Sequence, residues 1–201
     1  MKKFASIAIA ACMMLSLLVP TYAAEINANG GSGNTPVFLS STDTGTLDGK
    51  PAATAMSVTV PTSLPMAMAQ NGDVTTATDC KIINNSYGAV RVKSVTINTA
   101  GGWKLTAFGD KSTLATEKVD SNKLGFSLAI GGGTAMKTDS ENASQQTLIS
   151  SPITGCYMSG IGNTSGNVVS VDYDAIVTPL SAPVTNANIA NVVFVVEWDI
   201  V

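Results

Sequence analysis

The sequence predicts an all-β protein that folds as an antiparallel β-sandwich, in a single domain behind a flexible N-terminal leader. Apolar and polar residues alternate over short stretches, and turn-forming residues return roughly every 8–15 residues, as in sandwich proteins. No stretch carries a sustained helical apolar period. Only 12% of the residues are charged, whereas surface helices are usually rich in Glu, Lys and Arg. These observations favour strands over helices along most of the chain.

The first 23 residues have the features of a secretory signal. Lys2 and Lys3 precede an apolar run over residues 4–19, and a small-residue segment follows at 21–24. A basic start, an apolar centre and a small-residue exit are the three parts of such a signal. We therefore expect cleavage after Ala23 and secretion of the mature chain to the outside of the cell.

Cys12 leaves lipid anchoring open as an alternative to plain cleavage of the signal. Residues 9–12 resemble a lipobox, in which the cysteine becomes a lipid anchor. The apolar run continues to Leu18, so processing before Cys12 would leave apolar residues on the mature protein, which favours plain cleavage. The run is shorter than the roughly 20 residues that span a bilayer. We expect no transmembrane segment in the mature chain.

Behind the signal, the composition predicts a leader and one domain. Residues 24–35 are rich in Asn, Gly and Ser and are typical of a flexible segment. The domain then covers residues 36–201, which is long enough for one full-sized core. It begins with a short apolar stretch at 36–39, interpreted as a first strand. Residues 42–51 return to turn chemistry.

Alternation predicts the remaining strands one by one. In chain order, they are residues 55–60, 66–68, 74–83, 90–97, 103–107, 124–130, 145–149, 169–177 and 192–200. Asn71, Gly72 and Asp73 predict a tight turn. The apolar face shifts by an odd offset between Val92 and Val95, which predicts a β-bulge near Ser94. Residues 110–122 are the least strand-like part and favour a short helical turn.

Charge and cysteine content limit the partners and the compartment. The chain carries a net charge of −3, which becomes −5 once cleavage of the signal removes Lys2 and Lys3. Such an acidic chain lacks the basic surface needed to bind nucleic acid or anionic membranes. Cys80 and Cys156 remain as an even pair in a compartment where disulfides persist. We predict a Cys80–Cys156 disulfide, with two separate buried thiols as the alternative.

The absence of histidine excludes most catalytic and metal chemistry. The chain has no His at all, which removes Ser-His-Asp and Cys-His catalysis and the common zinc sites. Asp43 and Asp48, and the acidic stretch at 139–142, lack the spacing of a calcium loop. The glycine runs at 131–133 and 160–162 lack the spacing of phosphate-binding loops. We expect no metal and no cofactor.

Two carboxylate pairs keep one enzymatic hypothesis open. Asp172 with Asp174, and Glu197 with Asp199, each lie two residues apart on the polar face of a predicted strand. The expected separation of about 7 Å overlaps that of the two carboxyl groups in inverting glycosidases. Neither pair has an evident apolar cleft that would raise the pKa of one member. Solvated surface carboxylates are the favoured interpretation, and we expect no catalytic residues and no enzyme activity.

Two tryptophan segments carry a resemblance to a known family. Trp103 and Leu105 follow a glycine in mid-chain, and Trp198 and Ile200 lie in the last predicted strand. In order, location and strand setting they resemble the two Trp-x-Leu motifs of WxL-type surface proteins of Gram-positive bacteria. The second motif here ends in Ile200 instead of leucine. Residues 55–201 cover the resemblance, and the segment at 58–61 also resembles uncharacterised secreted proteins of gut Firmicutes.

The resemblance implies non-covalent association with the cell wall. The partner would be a wall polymer or another surface protein, and Trp103, Leu105, Trp198 and Ile200 would be the candidate binding residues. The alternative for both tryptophans is packing in the sandwich core. A second functional hypothesis is a self-assembling fibre or pilus-like subunit. In it, the strand at 36–39 pairs with the open sheet edge of a neighbouring copy instead of its own sheet.

Overall fold

The computed structural model describes residues 55–69, 71–163 and 165–199. The signal, the leader and the strand predicted at 36–39 lie outside these residues, as does Ile200. Within them the chain forms twelve strands and one short helix. All strand pairs but one are antiparallel, so the all-β antiparallel prediction is confirmed. The exception is a short parallel contact between Lys104–Leu105 and the strand Lys123–Ile130.

The larger sheet has six strands. In spatial order they are β1 (Val58–Thr59), β4 (Lys81–Asn84), β11 (Val168–Val177), β7 (Lys123–Ile130) and β6 (Lys104–Leu105), with β8 (Met136–Lys137) also paired to β7. The two long strands at the centre are β11 and β7, which pair from Val171 opposite Ile130 to Val177 opposite Leu124. The short strands lie at the sides.

The second sheet has four strands and is organised around one of them. Strand β5 (Val90–Thr99) pairs on one side with β12 (Ala190–Trp198) and on the other with β9 (Gln145–Ile149) and β10 (Tyr157–Met158). A separate hairpin joins β2 (Met66–Met68) to β3 (Val74–Thr76). Its turn contains Gly72 at a φ of 81°, a left-handed conformation that glycine adopts without strain. The turn predicted at 71–73 is therefore confirmed.

The two main sheets bury their inward faces in one hydrophobic core. The larger sheet contributes Ile82, Leu128 and Val171, and the smaller sheet contributes Val92 and Ile97, all at most 1% exposed. This is the arrangement expected when two sheets face each other across a common interior. The alternating pattern in the sequence therefore identified the buried faces.

A β-bulge lies where the sequence predicts it. In the pairing of β5 with β12, Ser94 faces Val195 and Val92 faces Val196, so Lys93 is the extra residue. The bulge keeps Val92 and Val95 both fully buried although they are an odd number of residues apart. A second register shift occurs where β5 pairs with β9, beside the consecutive buried residues Leu148 and Ile149.

Several element bounds differ from the sequence prediction. The run at 74–83 is divided into β3 and β4, because residues 77–80 leave the hairpin and enter the larger sheet. Helix α1 (Lys111–Ala115) confirms the helical turn, and Asp110 caps it by accepting a hydrogen bond from the Ser112 amide at 3.0 Å. Strands β8 and β10 were not predicted, since two residues are too few to show alternation.

Candidate functional site

Trp103 follows a tight turn at one end of the smaller sheet. Its amide donates to the Ala100 carbonyl at 3.1 Å, and Gly101 and Gly102 between them have φ values of 60° and 81°. Glycine takes such left-handed positions without the steric cost of a Cβ. The indole is partly buried and packs against the core. Leu105, two residues later, is fully buried, so it has no surface to offer a ligand.

Trp198 lies at the opposite end of the same sheet. It is paired with Val90 and packs, partly buried, against the core. Its ring also covers Gly88, where an added Cβ would lie 2.9 Å from Cζ3 of the indole. The two tryptophans are separated by the length of β12, roughly 25–30 Å for nine residues. They therefore do not form one site, and both contribute to packing. Ile200 lies outside the described residues.

Cys80 and Cys156 are both free thiols in this structure, so the predicted disulfide is not formed in it. The Cys80 sulfur lies 4.0 Å from the Ser63 carbonyl, whereas Cys156 is buried in the loop before β10, where its carbonyl accepts from the Val92 amide. Burial raises the pKa of both thiols, which makes them weak nucleophiles. The bridge stays a prediction, and a loss of two hydrogens in the unreduced intact mass of the chain would detect it.

A charged and aromatic group, here called the outer patch, lies on the solvent face of the smaller sheet near Trp198. Its members are Tyr157, Arg91, Lys93, Glu197 and Asp199. Tyr157, Arg91 and Glu197 face one another across three adjacent strands. The tyrosine is 48% exposed. The patch therefore presents an aromatic ring beside fixed charges on an open surface.

Ion pairs hold the outer patch in place. Arg91 Nε donates to Glu197 Oε1 at 2.9 Å, and Arg91 Nη1 donates to Asp199 Oδ1 at 3.2 Å. Lys93 Nζ lies 2.9 Å from the second Glu197 oxygen. Hydrogen bonds from Lys93 and Arg91 hold the pKa of Glu197 below its ordinary value, and Glu197 raises the pKa of Arg91. Both shifts favour the ionised forms of Glu197 and Arg91.

The carboxylate pairs considered for catalysis have different surroundings. Glu197 and Asp199 belong to the outer patch and are neutralised by Arg91 and Lys93. Asp172 and Asp174 are both exposed on the outward face of β11. None of these carboxylates is buried in an apolar cleft, which is the setting that raises a pKa for general acid catalysis.

The described residues contain no group of three or more His, Cys, Asp or Glu side chains that could hold a metal ion. In the acidic stretch at 139–142, Glu141 accepts from the Thr106 hydroxyl at 2.5 Å and from the Ala107 amide at 3.1 Å. Its hydrogen bonds to Thr106 and Ala107 lower the pKa of Glu141. Glu141 thus connects the loop at 139–142 to the residues that follow β6.

A groove lies beside β12, between that strand and the segment at 61–64. It has a volume of about 160 Å³ and is lined by Pro61, Leu64, Val192 and Phe194, among others. Val192 and Phe194 point inward but remain partly exposed through this opening. Strand β12 has no partner on its outer side among the described residues. The sheet edge and the groove form a second candidate interaction surface.

The sequence indicates that the charged residues of the outer patch lie on polar strand faces, but it does not indicate that the strands carrying them are paired. Arg91 and Lys93 belong to the polar face of β5 and Glu197 to that of β12, and Asp199 comes directly after the last residue of β12. Two cations two residues apart on one strand and two carboxylates with the same spacing at the end of the other are a signal that the two strands could be neighbours, because opposite charges on facing strands attract. Tyr157 had no such signal, because its strand is only two residues long.

Comparison with protein-family models, with curated proteins and with solved structures gives no match to this chain. Within the described residues no helix is long and apolar enough to cross a membrane.

Proposed function

We propose that this chain is a secreted, non-catalytic surface protein that associates non-covalently with the cell wall through the outer patch. The observation that carries the proposal is the row of Tyr157, Arg91 and Glu197 across three neighbouring strands. An exposed aromatic ring offers a stacking face to a sugar ring. Fixed charged groups beside it offer donors and acceptors for hydroxyl and carboxyl groups.

The hydrogen-bonding capacity of the patch supports a polyhydroxylated partner. A guanidinium has five N–H groups, and the described carboxylates accept from two of its nitrogens, Nε and Nη1 of Arg91. Lys93 is 56% exposed at its side chain, so its ammonium retains contact with solvent. The net balance of two cations and two carboxylates suits a polymer that carries both hydroxyl and charged groups. The signal sequence and the WxL-type resemblance support the location.

Sedimentation with isolated Gram-positive cell walls tests the proposal. The secreted chain is mixed with walls at moderate salt and centrifuged, beside the double variant Tyr157→Ala/Lys93→Ala. A control variant, Val184→Ala/Lys81→Ala, changes the same net charge at two exposed positions away from the patch. We expect the patch variant to bind about tenfold more weakly, a loss of about 1.4 kcal/mol, and the control to bind as the parent chain.

The outcomes separate the function from the site. Complete recovery of the parent chain in the supernatant would contradict wall association. Equal sedimentation of the parent, the patch variant and the control would contradict the assignment to the outer patch.

A second candidate function is a self-assembling extracellular subunit, which the unpaired side of β12 favours. In this hypothesis the segment at 36–39 of one copy adds to the sheet edge of another. Deletion of residues 24–41, followed by light scattering and electron microscopy, tests it. Fibres of the intact chain that disappear on deletion would support the hypothesis. An intact chain that stays monomeric, and is only less thermostable after deletion, would contradict it.

A further inference from the structure

Strand β12 is the one long edge of the two main sheets within the described residues. It has nine residues, whereas β1, β6, β8 and β10 have two each and β9 has five. Short edges offer few unpaired backbone groups to another chain, and a long edge offers many. Among the edges of the two main sheets, β12 is therefore the one that can pair with another strand over the greatest length.

The hydrogen bonds at both ends of β12 identify the backbone groups that face outward. The Ile189 carbonyl accepts from the Ala100 amide, and the Asp199 amide donates to the Ala89 carbonyl. Bonded and non-bonded pairs alternate along an antiparallel ladder. The odd-numbered residues of β12 therefore bond to β5, and the even-numbered residues from Ala190 to Trp198 direct their N–H and C=O groups outward. The bulge lies in β5, so this alternation is unbroken in β12.

Strand β12 also lacks the features that block edge pairing. Residues 190–198 contain no proline and no lysine, the two residues that most often protect a free edge. Their single charge, Glu197, is neutralised by Arg91 and Lys93. On the solvent face, Val193 and Val195 are 45% and 43% exposed. The edge is thus apolar, nearly neutral and regular.

We propose that β12 pairs antiparallel with β12 of a second copy, about a two-fold axis at Phe194. Because Phe194 directs both backbone groups outward, this axis uses every outward group of the strand, giving about ten hydrogen bonds between the copies. It places Val193 opposite Val195 of the second copy and Asn191 opposite its Glu197. No like charges meet, and the valines of the two copies form one apolar patch.

This inference rests on the second candidate function, self-assembly, but it replaces the donor segment with β12 itself. A symmetric interface uses the same surface of both copies and is closed at two. The pairing therefore produces a dimer with one continuous eight-stranded sheet. Of the outer patch only Glu197 lies on β12, whereas Tyr157 and Lys93, the residues changed in the wall-binding test, lie on β10 and β5. Dimer formation and wall binding can therefore be measured with separate variants.

Sedimentation velocity of the secreted chain over about 1–100 μM tests the pairing and its register. The variant Val193→Lys/Val195→Lys places lysines opposite lysines, and we expect its dimer to dissociate at least about tenfold more readily. The variant Val193→Glu/Val195→Lys places opposite charges across the axis, and we expect it to recover the dimer. The control Val168→Lys/Val184→Lys changes exposed valines outside β12 and should dimerise as the parent chain does.

Each result decides the proposal. A parent chain that is monomeric over the whole range, or a lysine variant that dimerises as the parent does, overturns it. Failure of the Glu/Lys variant to recover the dimer overturns the register centred on Phe194. Open-ended fibres that the lysine variant also forms would overturn the β12 pairing and retain the segment at 36–39 as the donor. Circular dichroism of each variant verifies that the fold is intact.

Discussion

Strands β11 and β12 both alternate more buried and more exposed residues over most of their length, but they have opposite positions in the fold. The exposed face of β11 carries Asp172 and Asp174, whereas that of β12 carries Val193 and Val195. Strand β11 has neighbours on both sides, and its inward residues Val171, Tyr173 and Ala175 are at most 6% exposed. Strand β12 has a neighbour on one side among the described residues. Its inward residues Val192 and Phe194 stay partly exposed beside the groove.

The difference teaches that alternation specifies the two faces of a strand but not its two sides. Side chains point to the faces, whereas backbone groups point to the sides, and backbone groups are the same in every sequence. Strand β11 is also covered at its C-terminal end, where Ile176 on the outward face is 8% exposed and packs close to Gly125. The central strand thus supports the core and is paired on both sides, whereas the edge strand has one unpaired side among the described residues.

The largest effect should come from the same substitution made in both strands. We expect Val171→Ala in β11 to lower the free energy of unfolding by about 2–3 kcal/mol, since it removes two fully buried methyl groups and leaves a cavity. Val192→Ala in β12 should cost about 1 kcal/mol, because the residue is partly exposed. Urea unfolding of both variants measures the difference. Equal losses would contradict the distinction between central and edge strand.

A smaller effect should follow from removing one hydroxyl in β11. The Tyr173 hydroxyl donates to the Pro65 carbonyl and accepts from the Ala77 amide. Tyr173→Phe should therefore cost about 1–2 kcal/mol, because it leaves two polar groups without that partner. Tyr87→Phe, which changes a 40% exposed ring, is the matched control and should be nearly neutral. Thermal unfolding that ranks the two variants in the other order would refute this role.

The end of β12 can be tested through the contact between Gly88 and Trp198. We expect Gly88→Ala to destabilise the fold by about 1 kcal/mol, since the new Cβ would overlap the indole and displace it. Gly162→Ala is the control, because no heavy atom lies within 4 Å of a Cβ at that position. Tryptophan fluorescence should change for Gly88→Ala and not for Gly162→Ala. An unchanged spectrum for both would argue against the packing of Trp198 described above.

The weakest effect concerns pH and the outer patch. Because the pKa of Glu197 is lower in the folded chain, its ion pairs stabilise the fold above the ordinary pKa of 4.5. That stabilisation is lost as the pH falls through the folded pKa. We expect the urea midpoint to decrease between about pH 5 and pH 3, and to decrease less in Glu197→Gln. Parallel curves for the parent and the variant would show that Glu197 does not contribute.

The prediction of the outer patch from sequence was incomplete for a physical reason. Arg91 and Glu197 are more than a hundred residues apart, and only the pairing of β5 with β12 brings them together. The polar face of each strand was readable, since alternation is a local property. The register between two strands is not local, because it depends on turns and bulges elsewhere in the chain. Tyr157 joined the patch through a strand of two residues, too short to leave a pattern.

By itself, the sequence determined the all-β class, the buried face of the long strands and the bulge beside Ser94, because these follow from side-chain periodicity and from local backbone preferences. It also predicted the hairpin turn at Gly72 and the helical turn that became α1. Only the tertiary structure decided which strand is central and which is an edge, and how far apart the two tryptophans lie. Those features depend on contacts between residues far apart in the sequence. The free energy of such contacts cannot be inferred from a local sequence pattern.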